Sequence, residues 1–381
     1  MLKVRFTMAV AAAAFAIATP AAAQDTIKIG VITDRVGVAK PWSEPIMQGT
    51  VYAARELNAK GGVLGKKVEL LIEDDQGKPD LSATVARKLE DAGVVFILSI
   101  THTPAALQAQ QVTLESKTPH LAPSLTVDTL TTQINNPNFW QTGPLASTQI
   151  ATLLSYARHN NYKRVAVIAD NSAISQATAK AFKSELEKNS IAVVSDEVVP
   201  AGATSAEAQM QKMRAAKPDA IFLASLLTSE NLLILKAYRQ YGLKTPILGN
   251  YNLSVPIYMS VAKGYLDGVT FVDAWDPAKP QVQQFVAGYT KEMGQEPYSM
   301  HGYGYDGVML AVDAIRRAGT TDKAKVRQAM QATRGYKGVL GSIPAAYTFE
   351  EGKRTGFDPQ GMVVRMYEGD KQGRVLHVGT K

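Results

Sequence analysis

Cysteine is entirely absent from the 381-residue sequence. Disulfides, thiolate nucleophiles, zinc–thiolate sites and iron–sulfur clusters are therefore excluded, and no lipid can be attached to a cysteine behind an N-terminal leader. An exported chain without disulfides must gain its stability from a large hydrophobic core, which this length permits. We expect a soluble product that is not tethered to a membrane.

Long runs of like charge are also missing. The formal net charge is +7, but the basic residues are scattered along the chain and form no basic block. A nucleic-acid-binding surface needs a basic patch or stripe. We therefore expect no nucleic-acid partner and attribute the surplus charge to solubility.

The signatures of several enzyme classes are missing as well. No two histidines are spaced i, i+4, and neither H-E-x-x-H nor G-x-S-x-G occurs. These absences predict no metal site and no catalytic residue. Because many catalytic sites leave no local signature, an enzyme remains an alternative.

Two glycine-rich segments and one acidic cluster have the outline of ligand-binding motifs. Gly302–Gly307 matches G-x-G-x-x-G, but polar residues and not a strand precede it, so we interpret it as a loop entering a helix and predict no cofactor. Gly61–Lys67 lacks the required P-loop residues and is interpreted as a turn. Glu73–Asp75 is interpreted as a solvated or hinge-facing edge, since no further metal ligands return at a readable spacing.

The one long apolar run lies near the N-terminus. Lys3 and Arg5 precede an apolar stretch at residues 8–18, and three alanines end the segment at Ala23. This is the layout of a secretory signal peptide, and the run is shorter than the roughly 20 residues that span a bilayer. We predict a signal peptide over residues 1–23, cleaved near Ala23.

The remaining chain is too long for one ordinary core, so two lobes are expected. Strand-like apolar runs alternate with helix-like segments, which predicts an α/β fold with parallel sheets. Turn-rich segments at residues 135–144 and 275–277 are interpreted as crossovers between the lobes. The predicted strands are residues 27–33, 67–74, 94–99, 120–123, 165–169, 191–199, 220–224, 246–248 and 268–272. The predicted helices are residues 43–59, 81–91, 104–116, 147–159, 174–188, 206–215, 230–241, 282–293 and 305–318.

Two polar loops follow predicted strands of the first lobe. One contains Thr101, His102 and Thr103, and the other runs from Ser124 to Thr126. Open α/β folds bind ligands at the carboxyl ends of their parallel strands. Hydroxyls and free N–H groups at a helix start suit a carboxylate or another anion, although Ser and Thr also serve as plain helix caps.

Several segments together carry a family resemblance over the whole mature chain. The most specific is N-A-K-G-G-V-L-G at Asn58–Gly65, directly after a predicted helix. The others are Ile27–Val31, Glu73–Asp75, Gly242–Thr245, Tyr305–Gly307 and Gly356–Asp358. In these segments the sequence resembles the type I periplasmic solute-binding proteins of ABC importers, specifically their branched-chain amino-acid-binding (Leu/Ile/Val) receptors.

The resemblance implies two Rossmann-like lobes, joined by three crossovers, that close about a hinge on one small-molecule ligand. The implied lobes are residues 24–143 plus 275–353 and residues 144–274 plus 354–381. It further implies a periplasmic protein that docks to the membrane permease of an ABC importer. We expect a monomer without a cofactor.

The resemblance also implies where the ligand lies. In the family, hydroxyls of the loops after the third and fourth strands hold the ligand carboxylate, and an aromatic residue of the first strand–helix loop covers the ligand. Thr103 and Thr126 fall at the corresponding hydroxyl spacing, and Trp42 matches the aromatic residue. The implied first-lobe ligand-binding residues are Trp42, Thr101, His102, Thr103, Ser124 and Thr126.

Three positions of the second lobe depart from the family pattern. Ile174 and Leu227 stand where the family has aromatic residues, and Tyr251 stands where it has the acid that binds the ligand ammonium. A buried ammonium without a carboxylate partner is costly. We therefore predict a ligand with a carboxylate or similar polar head, an apolar or aromatic body and no α-ammonium. An amino-acid-like ligand, a periplasmic enzyme and a ligand sensor using the same cleft are the alternatives.

Overall fold

A computed structural model describes residues 26–341, 347–356 and 358–380. The predicted signal peptide and its cleavage site lie outside these residues. The described chain forms two sheets, one of five strands and one of seven, each covered by helices. No helix within the described ranges is both long and apolar enough to cross a membrane.

The first sheet is entirely parallel, with the strand order β2-β1-β3-β4-β5. Its strands are β1 (Ile27–Thr33), β2 (Val68–Asp74), β3 (Phe96–Ile100), β4 (His120–Ala122) and β5 (Phe139–Gln141). All residues of β3 are buried, as expected of a central strand with both faces covered. β5 lies inside the segment that we interpreted as a plain crossover, and Phe139 and Trp140 are fully buried there. The turn formers on either side of β5 obscured this short apolar strand.

Helices cover both faces of the first sheet. They are α1 (Lys40–Ala59), α2 (Pro79–Asp91), α3 (Thr103–Ser116), α4 (Leu130–Gln133) and α11 (Ser299–Ala318). α10 (Pro280–Met293) packs on α1, and α12 (Lys323–Gln331) packs on α11. Ile29 and Val31 of β1 pack in one core cluster with α1 and α11, whereas Ile32 packs in another with α2 and α3. This alternation follows from the two-residue period of a strand.

The second sheet has the order β12-β11-β10-β9-β8-β6-β7. Its strands are β6 (Arg164–Asp170), β7 (Ala192–Val199), β8 (Ala220–Leu223), β9 (Ile247–Gly249), β10 (Thr270–Asp273), β11 (Val363–Glu368) and β12 (Lys371–Val378). The first five are parallel, and the last two form an antiparallel hairpin on the edge of β10. Its helices are α5 (Ala146–His159), α6 (Ala173–Lys188), α7 (Glu207–Ala216), α8 (Thr228–Gln240) and α9 (Ile257–Val261).

The chain passes between the lobes three times, after β5, after β10 and before β11. The passages contact one another: the Gln141 N–H donates to the Arg354 carbonyl at 2.9 Å, and the Gly341 N–H donates to the Ala274 carbonyl at 2.8 Å. Gly356 lies so close to Thr142 that an added Cβ would be 2.9 Å from its Cα. The crossovers therefore form one bundle beside the cleft, as hinge closure requires.

The G-x-G-x-x-G segment is helical, so its interpretation as a loop entering a helix is wrong. Gly302–Gly307 lies within α11, which begins six residues before the predicted start at Tyr305. A Cβ on Gly304 would lie 1.9 Å from the Ile46 carbonyl oxygen, and one on Gly49 would lie 1.9 Å from the His301 carbonyl oxygen. Gly49 and Gly304 allow the backbones of α1 and α11 to touch, and this close approach explains the glycine at position 304.

Gly304→Ala should destabilise the protein, because its methyl group would overlap the backbone of α1. Overpacking of this kind typically costs about 1–3 kcal/mol, more than the ~1 kcal/mol that alanine gains over glycine in a helix. Gly307→Ala is the matched control on α11, since the nearest atom to its Cβ would be at an ordinary 3.4 Å. Urea unfolding should place Gly304→Ala below the parent protein and Gly307→Ala at or above it; equal values for the two variants would contradict this packing argument.

Candidate functional site

The two predicted hydroxyl loops lie next to each other. β3 and β4 are adjacent parallel strands, so the loops after Ile100 and Ala122 leave the same edge of the sheet. This edge is where open parallel sheets bind ligands. Thr103 and Thr126 are half-buried there, and the structure shows no hydrogen bond from either hydroxyl to another described residue. Both hydroxyls are therefore available to a ligand.

His102 shapes the first loop. It is the N-cap of α3: its Nδ1 accepts from the Ala105 N–H at 3.3 Å, and its Nε2 lies 2.7 Å from the Gly77 carbonyl. A carbonyl oxygen only accepts, so Nε2 must carry the proton and the ring is the neutral Nε2–H tautomer. Both ring nitrogens are thus used inside the first lobe, where they position Thr103.

Thr101 is fully buried beneath the same loop, beside the buried carboxylate of Asp75. Burial raises the pKa of Asp75, while the hydrogen bond from the Gly77 N–H lowers it. The interpretation of Glu73–Asp75 as a solvated or hinge-facing edge is therefore wrong for Asp75. The side chain of Asp75, directly after β2, turns into the lobe and accepts from the Gly77 N–H at 2.9 Å. The Thr101 hydroxyl has no hydrogen-bond partner among the described residues.

Asp34, Asp74 and Asp75 approach one another closely enough to hold a cation, with one oxygen of each within 4.8 Å of the others. Backbone donors already engage these groups. Asp34 accepts from the N–H groups of Gly37 and Ala39, the latter at 2.8 Å, and Asp75 accepts from Gly77 at 2.9 Å. Within the described residues the cluster therefore fixes two loops of the first lobe.

The second hydroxyl loop is held by the first crossover. The Gln141 side-chain amide donates to the carbonyls of Leu125 at 2.7 Å and Val127 at 3.2 Å. Gly143 packs so closely that a Cβ there would lie 2.1 Å from the Leu125 carbonyl oxygen. Ser124 is buried, and its hydroxyl has no hydrogen-bond partner among the described residues. This loop is rigid and carries an unsatisfied donor.

Asp170 organises the facing loops of the second lobe from the end of β6. Its carboxylate accepts from the N–H groups of Ser172, Leu226 and Leu227 and from the hydroxyls of Ser175 and Ser225, at 2.6–3.2 Å. Burial alone would raise the pKa of this carboxyl group. The hydrogen bonds from the three serines outweigh burial and hold the pKa of Asp170 at about 2.

Asp170 should make folding sensitive to acid. Its pKa of about 2 lies below the ordinary value of 3.8, so its contribution is fully present above about pH 4 and is lost as the pH falls towards 2. The shift corresponds to about 2 kcal/mol. In urea unfolding from pH 5 to pH 2, Asp170→Asn should be less stable at pH 5 and lose less stability on acidification. The exposed Asp196→Asn is the control, and a pH profile of Asp170→Asn identical to the parent's would contradict this role.

The other predicted residues have different surroundings. Ile174 is 50 % exposed at the start of α6, and Leu227 is the half-buried N-cap residue of α8. Trp42 is half-buried in the first turn of α1, where it packs against the core. The large apolar surface of Ile174 lies at the cleft and has room for a ligand.

Tyr251 is buried to 8 % exposure. Its hydroxyl lies 3.3 Å from the Met300 sulfur, and its ring packs edge-on against Tyr303 at 5.6 Å. Burial, together with the charge of Asp273, raises the pKa of Tyr251 well above its usual value. The phenol is therefore neutral, and at this position the protein offers no anion to a ligand ammonium.

Three acids of the region are also engaged. Asp34 accepts the backbone donors described above. Glu230 accepts from the Gly202 N–H at 2.9 Å and from Ser229. Asp273 forms a buried ion pair with Arg365 at 3.1 Å. Each of these carboxylates therefore stabilises the protein's own loops or strands.

A cavity of about 440 Å³ lies between the loop after β4 and the second lobe. It brings Thr126 and Ile174 together with Leu226 and Asn250, and none of the other seven predicted residues lines it. Its remaining lining residues are Val127, Asp128, Thr129, Ala146, Ser147, Gln149, Ile150, Leu153, Ala173, Ala177, Thr178, Ala181 and Phe222. Asp128 is the only charged residue among them.

Sequence reasoning missed Asp128, Gln149, Leu226 and Asn250 at this cavity. Asp128 follows Thr126 by two residues in the same loop, and that proximity was the available signal. Gln149 holds its position through two bonds: its amide donates to the Pro144 carbonyl at 2.8 Å, and its oxygen accepts from the Tyr251 N–H at 3.0 Å. A glutamine within a helix gives no sequence signal of such a role.

Two α/β lobes joined by three crossovers, with loops of both lobes at one cavity, define a two-lobed solute-binding protein. The chain belongs to the periplasmic binding protein family, whose sequence model matches residues 26–358. Members of this family are solute-binding receptors, so the protein is not an enzyme.

Relatives among known proteins agree with this assignment. The Leu/Ile/Val-binding protein homolog 3 of Brucella melitensis is 26 % identical over 331 residues, which cover 86 % of this chain and 89 % of that protein. A leucine-binding protein structure from Thermotoga maritima superposes with a TM-score of 0.78 at 24 % identity, covering 93 % of this chain and 98 % of that one. A branched-chain amino acid binding protein of Streptococcus pneumoniae, solved with isoleucine, also gives 0.78, at 22 % identity and 92 % and 99 % coverage.

Proposed function

We propose that this protein captures a small organic carboxylate with an apolar or aromatic body between its lobes and delivers it to the membrane permease of an ABC importer. The observation that carries the proposal is the cavity that joins the Thr126 loop to the apolar surface of the second lobe. Relatives with this fold are described as leucine-binding or contain isoleucine, which supports a ligand with a carboxylate and an apolar side chain.

The polar head would lie at the two hydroxyl loops of the first lobe. Thr103 begins α3 and Thr126 follows β4, and both hydroxyls lack partners among the described residues. Free N–H groups at the start of a helix favour an anion. The loops are already fixed by His102 and Gln141, so little ordering is needed when the ligand binds.

Delivery requires that the ligand favour the closed form. A ligand that touches both lobes binds the closed state more tightly than the open state, and this difference shifts the equilibrium towards closure. Thr126 on the first lobe and Ile174 on the second line the same cavity. One ligand can therefore contact both lobes, and the permease can distinguish the loaded, closed form from the empty one.

The test is to purify the protein in native form and identify what it retains. Mass spectrometry of the released small molecule should find a carboxylic acid at about one equivalent per chain. Titration with that acid should show stoichiometric binding without a product. Retention of a ligand without an anionic group would contradict the proposal. Unchanged uptake of the retained acid in cells that lack the permease would also contradict it.

Export to the periplasm belongs to the same proposal. Membership of the family places the protein in the periplasm, and the sequence of residues 1–23 supports cleavage by signal peptidase near Ala23. Intact-mass measurement of protein from a periplasmic extract should give a chain that begins at Gln24, within a few residues. A mass that includes Met1 would show that the leader is retained.

A further inference from the structure

The cavity continues beyond the cleft as a groove between α5 and α6. Ala173, Ala177 and Ala181 of α6 line it along one helical face, since they are spaced by four residues. Ile150 and Leu153 of α5 form part of the opposite wall. From Ala173 to Ala181 the groove follows the helix for roughly 12 Å, at 1.5 Å per residue.

The two ends of the groove differ in polarity. Thr126, Ser147 and Asn250 lie where the loops meet at the carboxyl edge of the sheets, and Ala146 and Ala173 begin the two helices there. Two helical turns further on, the lining is mainly apolar, with Leu153 of α5, Ala181 of α6 and Phe222 of β8. Thr178 of α6 also lines this part, and its hydroxyl donates to the Ile174 carbonyl at 2.9 Å.

The groove is the part of this same cavity that runs along α6, where the side chains are small. The Phe222 ring packs at a tilted angle against Phe182, with 3.9 Å between the ring centroids, so both rings are held within the lobe. The three alanines on α6 remain exposed among the described residues, and Ile174 beside them is also exposed. The volume of about 440 Å³ falls within the range of about 300–1,000 Å³ typical of small-molecule pockets.

We propose that the groove between α5 and α6 is a ligand subsite that accepts an extended apolar chain or ring system, with Ala177 and Ala181 setting the permitted length. This inference rests on the proposed function, because the groove is continuous with Thr126 of the carboxylate loop. It names the ligand class more narrowly, as a carboxylic acid whose body is longer than a branched-chain amino acid side chain. The polar-to-apolar gradient along the groove matches such a molecule.

Calorimetry with straight-chain acids of increasing length tests the subsite. Affinity for the parent protein should rise from pentanoate through heptanoate to nonanoate by about fourfold per buried methylene. Ala177→Phe should fill the groove, so nonanoate should lose at least tenfold while pentanoate changes less than twofold. Ala181→Leu, a smaller change deeper in the groove, should reduce nonanoate binding and spare heptanoate. Lys180→Phe is the control on an exposed position of α6 that does not line the groove.

The outcomes separate this inference from the proposed function. If pentanoate binds but longer acids gain nothing, the subsite is wrong and the carboxylate site stands. If Ala177→Phe and Ala181→Leu weaken short and long acids equally, the subsite is also wrong. If no acid binds at all, the proposed function fails and the subsite fails with it. A parent dimer that Ala177→Phe converts to monomers would show that a second copy occupies the groove.

Discussion

Thr103→Val and Thr126→Val should each weaken ligand binding by about 10- to 150-fold. The loss of a hydrogen bond to a charged group costs roughly 1.5–3 kcal/mol, and each 1.4 kcal/mol is tenfold in affinity. Valine has nearly the shape of threonine, so the substitution removes the donor and leaves the packing of the loop in place. The measurement is calorimetric titration with the acid that the native protein retains.

Thr84→Val is the matched control, because Thr84 is exposed on α2 and its hydroxyl only bonds back to the Asp80 carbonyl, at 3.1 Å. It should bind like the parent protein. Thermal melting must show that all three variants fold. Unchanged affinity of both Thr103→Val and Thr126→Val would place the carboxylate elsewhere in the protein.

Most of the fold could be predicted from the sequence, because its strands are short apolar runs between clear turn signals. β1 begins and ends where predicted, and the parallel arrangement is confirmed for the first sheet and for β6 to β10 of the second, whereas β11 and β12 are antiparallel. The start of α11 was placed too late, since Gly302 and Gly304 are typical of loops. The contact of Gly304 with Ile46 of α1, more than 250 residues earlier in the chain, explains the glycine at that position of the helix.

The remaining fold differences also depend on distant contacts. The short α4, α9 and α12 were not predicted, because short helices are stabilised mainly by packing and not by their own sequence. Asp75 has a sequence typical of an exposed turn, but it is buried and accepts a hydrogen bond from the Gly77 N–H. A single sequence does not reveal partners brought together in this way.

The candidate site was partly predictable for a similar reason. A strand end identifies the loop that contains Thr126, and the family resemblance implied Ile174; both residues line the cavity. The orientation of a side chain within a loop is set by its neighbours. His102 turns towards Gly77 and Tyr251 towards Met300, and neither orientation follows from strand order. Their roles as ligand-binding residues stay predictions.

Amino acids should bind more weakly than the matching acids that lack the amine, by about 100-fold or more. Burial of an ammonium without a carboxylate partner carries a penalty of several kcal/mol, and 100-fold corresponds to about 2.7 kcal/mol. Tyr251 is neutral and its hydroxyl faces Met300. Asp34, Glu230 and Asp273 are engaged with the protein's own groups.

The comparison pairs leucine with 4-methylpentanoate and phenylalanine with 3-phenylpropanoate, so that each pair differs only in the amine.

Asp128 is the remaining acid at the cavity, and its carboxylate already accepts from the Ser147 N–H at 3.2 Å and from the Ser147 hydroxyl. Asp128→Asn should therefore leave the preference for the amine-free acids unchanged or strengthen their binding, since a negative charge near the ligand carboxylate is removed. Tighter binding of leucine or phenylalanine that Asp128→Asn abolishes would assign the ammonium to Asp128 and show the prediction to be wrong. Tighter binding of the amino acids that persists in this variant would also show the prediction to be wrong. We do not expect it, because an aromatic face attracts a cation by only about 0.5–2 kcal/mol.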